Sequence, residues 1–350
     1  MCIISGYVGT KQAAPILIDM MRKEEGLDGG HYTGIATLHE GRIHYRKLEG
    51  NLDTLLKMTD AASLPGTVGF LHSRTPGDPT FVDRWAHPFT CEKNGEVLTA
   101  LIANGIYGCR ADIVKENGTK IAEKLLDAGY ELKSVIDYKK SGIPTPCGLN
   151  AHVSDVIAQY ATQLIENGTD TAAALAAGFE DIPLEAVGLF LNKQEPDTIS
   201  WARNNFPMHV AFCEHGAYLA TVPLAFPADA SEYQLLPALS SGQVTKDRFT
   251  CRPFKNPAFT VAPITPELWT AAYQKFQDAL HQGKHNGFSF VFLEDFEPAD
   301  CTPKNAVNYQ VMSHLYKKGV IRIEKTTVPG HNGTTASKYL IHPVKNSKNA

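Results

Sequence analysis

A cysteine stands directly after the initiator methionine, in the run Met1-Cys2-Ile3-Ile4-Ser5-Gly6-Tyr7-Val8-Gly9. Removal of Met1 would leave the Cys2 thiol and a free α-amine on one residue. An unperturbed α-amine has a pKa of about 8 and a free thiol one of about 8.5, so the amine is well matched to take the thiol proton. One residue then supplies nucleophile and base together. The same stretch also reads as a buried strand headed by a small apolar residue, and the pattern alone leaves both readings open. Three further polar positions fall beside apolar runs. Arg74 lies in His72-Ser73-Arg74-Thr75 at a strand end, where a planar guanidinium can grip a carboxylate with two parallel hydrogen bonds or pair with a surface acid. Asn104-Gly105 follows the run Leu98–Ile102; as a dipeptide it is a common turn, and its weight comes from its order in the chain. Asp155 lies in His152-Val153-Ser154-Asp155-Val156-Ile157-Ala158, where a carboxylate also suits the first turn of a helix.

These positions need rigid elements beneath them. Cys2–Tyr7 reads as a strand and Gln12–Glu25 as a helix, with Ile16, Leu17, Met20 and Met21 on one side and Pro15 in its first turn. Gly34–Leu38 and Arg42–Lys47 pair across Glu40-Gly41, and Thr67–His72 and Leu98–Ala103 are apolar strands. Helices are expected over Leu52–Thr59, Thr119–Leu126, Val153–Ile165 and Ala172–Ala177. Strands are expected over Val187–Asn192, Thr198–Arg203, His209–Cys213 and Ala217–Ala220. The order lacks the regular alternation of a doubly wound parallel sheet; packed sheets with flanking helices suit it better. Residues 226–262, rich in Pro, Ser and Ala, read as a connector. Pro266–His281 and Asn305–Lys318 read as amphipathic helices. Val320–Lys325, a Pro329-Gly330 turn and Tyr339–Val344 follow. That order suggests a small C-terminal α/β domain over 263–350, winged-helix-like in outline.

With 350 residues, 43% of them hydrophobic and 20% charged, the chain can bury a full core and hold more than one domain. A net charge of -4 and a pI near 6.4 give no electrostatic reason to bind nucleic acid or an anionic membrane. The N-terminus lacks a signal-peptide pattern, and no run approaches the roughly 20 apolar residues that span a bilayer. A cytoplasmic protein without a membrane partner is expected. The seven cysteines, at 2, 91, 109, 147, 213, 251 and 301, are scattered without a C-x-x-C pair and fit reduced thiols. In that setting the Asn-Gly-Thr triplets at Asn117, Asn167 and Asn332 are coincidences. His281 and His285 have the spacing of a metal pair, but Gly283 lies between them and no third ligand follows, so no metal is expected. No phosphate loop or dinucleotide fingerprint is present, and no cofactor is expected. Lys317, Lys318, Arg322 and Lys325 read as a solvated face before an acidic partner's site.

Met1-Cys2-x-Ile-x-Gly-Tyr-Val-Gly, then Ala13-Ala14-Pro15-Ile16-Leu17, Gly34-Ile35-Ala36-Thr37, the strand-end arginine and the strand-end Asn-Gly resemble the class II glutamine amidotransferases. These are N-terminal-nucleophile hydrolases, and the resemblance is greatest to the glutaminase half of glucosamine-6-phosphate synthase. It covers about the first 225 residues and implies an α+β fold, the four-layer α-β-β-α sandwich, over 2–225. It also implies roles: Cys2 as nucleophile, Asn104 and the Gly105 N–H as oxyanion hole, Arg74 on the α-carboxylate of glutamine and Asp155 on its α-amino group. In the family that aspartate opens an Asp-Thr-Glu-Val-Ile segment. Here Val153 takes its place without a gap, and Asp155 does so only with two residues deleted. Ile3 replaces a usual Gly, and Thr75-Pro76-Gly77-Asp78-Pro79 replaces an aromatic residue and a Thr-His-Gly turn. Ala86-His87-Pro88 returns to the pattern.

The expected activity is hydrolysis of the glutamine side-chain amide through a Cys2 thioester, with ammonia supplied to an acceptor. The remaining residues, about 125, are too few for two sugar-isomerase lobes. The acceptor would then be bound by a separate protein subunit or through the C-terminal domain, and a homo-oligomer is compatible with either. The alternative is a catalytically lapsed, amidotransferase-like binding or regulatory module acting through its C-terminal domain. Ile3, the short Thr75–Pro79 segment and Val153 favour it.

Overall fold

The apolar run after Cys2 forms β1 (Ile3–Gly9), buried over all but its last residue. A strand without polar alternation is one covered on both faces. Accordingly Ile3 and Tyr7 pack into a helical layer, while Ile4 and Val8 pack against a second sheet. The computed structural model describes residues 2–75, 83–137, 142–282, 300–301, 303–330 and 333–344.

After β1 come α1 (Ala13–Glu24), β2 (Tyr32–His39), β3 (Arg42–Glu49), α2 (Leu52–Met58) and β4 (Val68–Arg74). Helix α1 buries Leu17, Ile18, Met20 and Met21, so Ile18 takes the place expected for Ile16 in the apolar stripe. Then follow β5 (Phe89–Lys93), β6 (Glu96–Ile106), α3 (Ala111–Asp127), β7 (Ile143–Pro144), β8 (Asn150–Ala151), α4 (Val153–Glu166) and α5 (Thr171–Asp181). Helix α3 starts well before the expected Thr119. Its Asn117-Gly118 pair is poor in helix propensity, but Gly118 lets Ile143 approach: a Cβ there would lie 2.7 Å from Ile143 Cδ1.

The strands β9 (Glu185–Asn192), β10 (Ile199–Arg203), β11 (His209–Cys213) and β12 (Gly216–Ala220) form as expected. Residues 226–262, read as a connector, instead supply β13 (Gln234–Leu235), β14 (Ser240–Val244) and β15 (Arg252–Pro253). Their sequence, Ser-Ser-Gly-Gln-Val in β14, has no apolar period because backbone pairing with β10 holds it in place. One sheet has the order β13-β11-β12-β1-β4-β2-β3 and the other β15-β14-β10-β9-β6-β5. Phe70, Leu189, Trp201 and Leu219 fill the space between them. Helices α3, α4 and α5 cover the second sheet and α1 and α2 the first, which completes an α-β-β-α sandwich.

The C-terminal elements are α6 (Pro266–His281), α7 (Lys304–Lys317), β16 (Ile321–Pro329) and β17 (Thr335–Pro343), the last two an antiparallel hairpin. They do not build a core of their own. Phe276, Leu280, Val307, Met312, Leu315 and Ile341 join Leu17 and Met21 in one apolar cluster over the first sheet. No described helix is long and apolar enough to cross a membrane.

Candidate active site

Cys2 lies at the mouth of β1, where the two sheets meet at one end. Pairing of β1 with β4 sets Ile3 opposite Ser73, so Arg74 arrives beside Cys2. From the other sheet, β6 brings Asn104. Its Nδ2 donates to the Cys2 carbonyl at 2.7 Å, and its Oδ1 accepts from the Cys2 N–H at 3.1 Å. Gly105 follows where β6 crowds β9: a Cβ would lie 2.3 Å from that of Ala186, so only glycine fits. A cavity of about 390 Å³ opens here, and Cys2, Arg74 and Gly105 are on its wall.

The Arg74 guanidinium is 5.4 Å from the Tyr32 ring centre and 5.5 Å from that of Trp85. Its Nη1 donates to the Trp85 carbonyl at 3.2 Å. Among the described residues no carboxylate pairs with it, so its charge faces the cavity between two aromatic faces. Burial pushes the Cys2 thiol above its ordinary range. Arg74 opposes that rise and Asp28 adds to it.

Asp155 is placed differently. It is buried behind the wall, where Oδ2 accepts from the Ser134 N–H at 2.8 Å and Oδ1 from Gln159 Nε2 at 3.1 Å. Val153 and Ser154, at the start of α4, line the cavity instead. Among the described residues on that wall there is no carboxylate. Ile3 points into the helical layer and not into the cavity. Thr75 lines the cavity, and its Oγ1 accepts from the Gly29 N–H at 2.8 Å. The remainder of the departing segment, 76–79, lies outside the described residues.

Sequence reasoning missed several parts of this site. His87 and His152 line the cavity, with ring centres 5.3 Å apart, and His72 lies 4.0 Å from His87. Burial lowers the pKa of His72 to about 3 and drives those of His87 and His152 well below the usual range. All three are neutral near pH 7. Neither ring nitrogen of His87 has a hydrogen-bond partner among the described residues. Asp28 is buried beside the nucleophile and accepts from Tyr309 Oη at 2.8 Å. A loop carboxylate between Leu27 and Gly29 gives no periodic signal, and Tyr309 lies 281 positions away.

Two clusters apart from this cavity could hold a cation: Cys109, Glu185 and Cys301, and Cys213, His215 and Asp229. In the second, Cys213 meets His215 Nδ1 at 2.9 Å and Asp229 meets Nε2 at 3.0 Å. The partners sit at different ring nitrogens, which suits a hydrogen-bonded relay rather than one shared ion. Of the histidine pair considered from sequence, His281 ends α6 and His285 lies outside the described residues.

No family model matches the chain. It is 27% identical over 313 residues to the glutamine-fructose-6-phosphate aminotransferase (isomerizing) of Pyrococcus horikoshii, covering 88% of this chain and 45% of that protein. The enzyme of the same name from Caldanaerobacter subterraneus is 30% identical over 223 residues, covering 63% of this chain and 31% of the relative. The chain thus spans less than half the length of these curated relatives. Among solved structures, the glutamine phosphoribosylpyrophosphate amidotransferase of B. subtilis superposes with a TM-score of 0.59 at 13% identity, covering 94% of this chain and 68% of the other. An allosteric regulatory enzyme of purine biosynthesis gives 0.57 at 13% identity, covering 89% and 63%. By sequence the chain is similar to part of the glutamine-fructose-6-phosphate aminotransferases, and it shares its fold with the glutamine phosphoribosylpyrophosphate amidotransferase of B. subtilis.

Proposed function

We propose that this protein hydrolyses the side-chain amide of glutamine at Cys2 and delivers the ammonia to an acceptor. The observation that carries this reading is the meeting of Cys2, Arg74 and Gly105 on one cavity wall, with Asn104 clasping the Cys2 backbone. With Met1 removed, the Cys2 nitrogen becomes the α-amine, and Asn104 Oδ1 orients it by accepting one of its protons. The amine takes the thiol proton, and sulfur attacks the γ-carboxamide carbon.

The oxyanion that forms is met by the Gly105 N–H and by the second Nδ2 proton of Asn104, the first being held by the Cys2 carbonyl. The amine returns its proton to the leaving nitrogen, ammonia departs, and water hydrolyses the γ-glutamyl thioester to glutamate. Arg74 holds the substrate carboxylate with its aromatic-flanked guanidinium. Asp155 acts on the substrate only indirectly in this scheme, by fixing Ser134 and the first turn of α4. Of the relatives' activity only the glutamine half enters this reading, because the matched part is less than half of their length.

The test is glutamine-dependent release of glutamate and ammonia by purified protein, with the intact N-terminal mass measured on the same sample. Turnover that requires a free Cys2 and vanishes in Cys2→Ala is the expected result. Protein with Met1 removed that releases neither product, with and without candidate acceptors, would overturn it.

A further inference from the structure

The first of the two cation-holding clusters lies where the C-terminal segment touches the active-site wall. Cys109 sits on a single turn, Gly108–Arg110, between β6 and α3. Its Sγ is 3.2 Å from Sγ of Cys301, a residue 192 positions away. Glu185 at the start of β9 is the third member, and its Oε1 accepts from the Cys109 N–H at 3.0 Å. The three side chains bring their ligand atoms within 4.8 Å of one another. A cavity of about 210 Å³ adjoins them, lined by Glu185, Cys301, Asn205 and Asp300 among others.

One observation besides the cluster itself points to a ligand at this place. Asn205 is only 3% exposed, its Nδ2 donates to Glu185 Oε2 at 2.8 Å, and its Oδ1 has no hydrogen-bond partner among the described residues. An unpaired buried carbonyl oxygen is costly unless something electropositive meets it. A bound cation stabilises both thiolates. Cys301 is firmly held: its N–H donates to Thr260 O and its carbonyl accepts from the Ala262 N–H, each at 3.1 Å. Asp300 Oδ2 accepts from the Thr260 N–H and hydroxyl at 2.8 and 3.0 Å.

We propose that Cys109, Cys301 and Glu185 bind one divalent cation of the zinc class, with the fourth position facing the cavity beside Asp300 and Asn205. Two thiolates select a borderline-soft ion, and zinc also accepts a carboxylate oxygen as ligand. Zinc-sulfur bonds of about 2.3 Å in tetrahedral geometry set two sulfurs roughly 3.8 Å apart, a small opening from the observed contact. A disulfide would use the same pair of thiols but would leave the buried Asn205 oxygen unpaired. On binding, the ion replaces two thiol protons, which pass to solvent. The site would stitch the segment before α7 to the wall of the larger cavity, since Leu184 and Ala186, on either side of Glu185, both line that cavity. The proposal stands independently of the glutaminase reading.

Full-length reduced protein, stripped with a chelator and titrated with Co²⁺, tests it. One Co²⁺ per chain with a thiolate-to-cobalt charge-transfer band, displaced by one equivalent of Zn²⁺, is expected. Cys109→Ser and Cys301→Ser should each abolish the band. Glu185→Gln should weaken binding about tenfold or more while keeping both thiols, and Cys251→Ser should change nothing. Circular dichroism of each variant establishes that it folds. Absence of the band, its survival in both serine variants, or isolation of the protein with Cys109 and Cys301 already joined as a disulfide would overturn the proposal.

Discussion

Asn104 has two tasks at the residue scale. Its side chain spans the gap between the sheets and fixes the Cys2 backbone with two hydrogen bonds. In the proposed chemistry it also donates to charge that develops only in the transition state. Interactions present only at the transition state appear in kcat, whereas uniform binding appears in KM. We therefore expect Asn104→Ala to lower the kcat of glutamine hydrolysis about 100- to 1,000-fold. KM should change by less than about fivefold, because Arg74 and not Asn104 holds the substrate carboxylate. Steady-state kinetics of glutamate release decide it, and a rise in KM at constant kcat would assign Asn104 to substrate binding instead. The Cys2 thiol, pushed up by burial, is mostly protonated near neutrality, so its activation depends on a base held as closely as Asn104 holds this nitrogen.

At the scale of elements, the sequence made β1, β2, β4, β11 and β12 of the first sheet legible because each carries an apolar run bounded by a turn, whereas the two-residue β13 gives no pattern and reads as connector. Cys2, Arg74 and Asn104-Gly105 were legible for a related reason: each sits at a strand end, where rigid backbone and chain order together limit its surroundings. Asp155 was harder, since a first-turn carboxylate suits either a cavity or a buried hydrogen-bond network, and only tertiary placement separates them. His72, His87 and His152 gave no periodic signal, and Glu185 joins Cys109 and Cys301 only through folding. Amphipathic stripes on α6 and α7 announced buried faces without saying what covers them. The two helices cover each other and pack on the β16–β17 hairpin, and the hairpin is tied to the segment after α1: Tyr339 N–H donates to the Gly26 carbonyl at 2.7 Å, and Ser337 Oγ donates to the buried Glu25 at 3.3 Å. Glu25 also accepts from Ser73, next to Arg74, at 2.8 Å. The C-terminal hairpin thereby supports the strand that carries the carboxylate-binding residue. A chain ending at residue 262 would lose Phe276, Leu280, Val307, Met312, Leu315 and Ile341 from that shared core. Each fully buried apolar side chain contributes about 1.5–3 kcal/mol, so six of them rival the total stability of a typical domain, about 5–15 kcal/mol. The fragment 1–262 should be insoluble or lack a cooperative melting transition by circular dichroism, and native-like melting would show that the sandwich stands alone.

For the whole molecule, two sets of buried ionisable groups pull stability in opposite directions with pH. His72 and His209 have folded-state pKa values lowered by burial to about 3, and His87 and His152 are lowered as well. Each takes up a proton in the unfolded chain below pH about 6.5 but resists doing so in the folded one, so their stabilising effect is lost on acidification through that window. Glu24, Glu25, Asp28 and Asp155 are raised by burial. They hold protons in the folded state above the ordinary carboxylate range, so their effect is present in acid and is lost as pH rises through their folded-state values. The two sets overlap between roughly pH 4 and 6.5, and the net curve alone cannot apportion them. A difference can. His209 lies outside the active-site cavity, with Nδ1 3.1 Å from the Thr221 carbonyl and Nε2 3.4 Å from Gln310. His209→Gln should lower stability by a constant amount at neutral pH and above. Below about pH 6 the wild-type curve should fall more steeply than the variant's, by about 1.4 kcal/mol per pH unit, the slope of one proton. Urea unfolding at pH 4.5, 5.5, 6.5 and 7.5, values taken at roughly unit spacing across the histidine range, measures that slope. Parallel curves for the two proteins would mean that His209 is charged in the folded state, contrary to its burial.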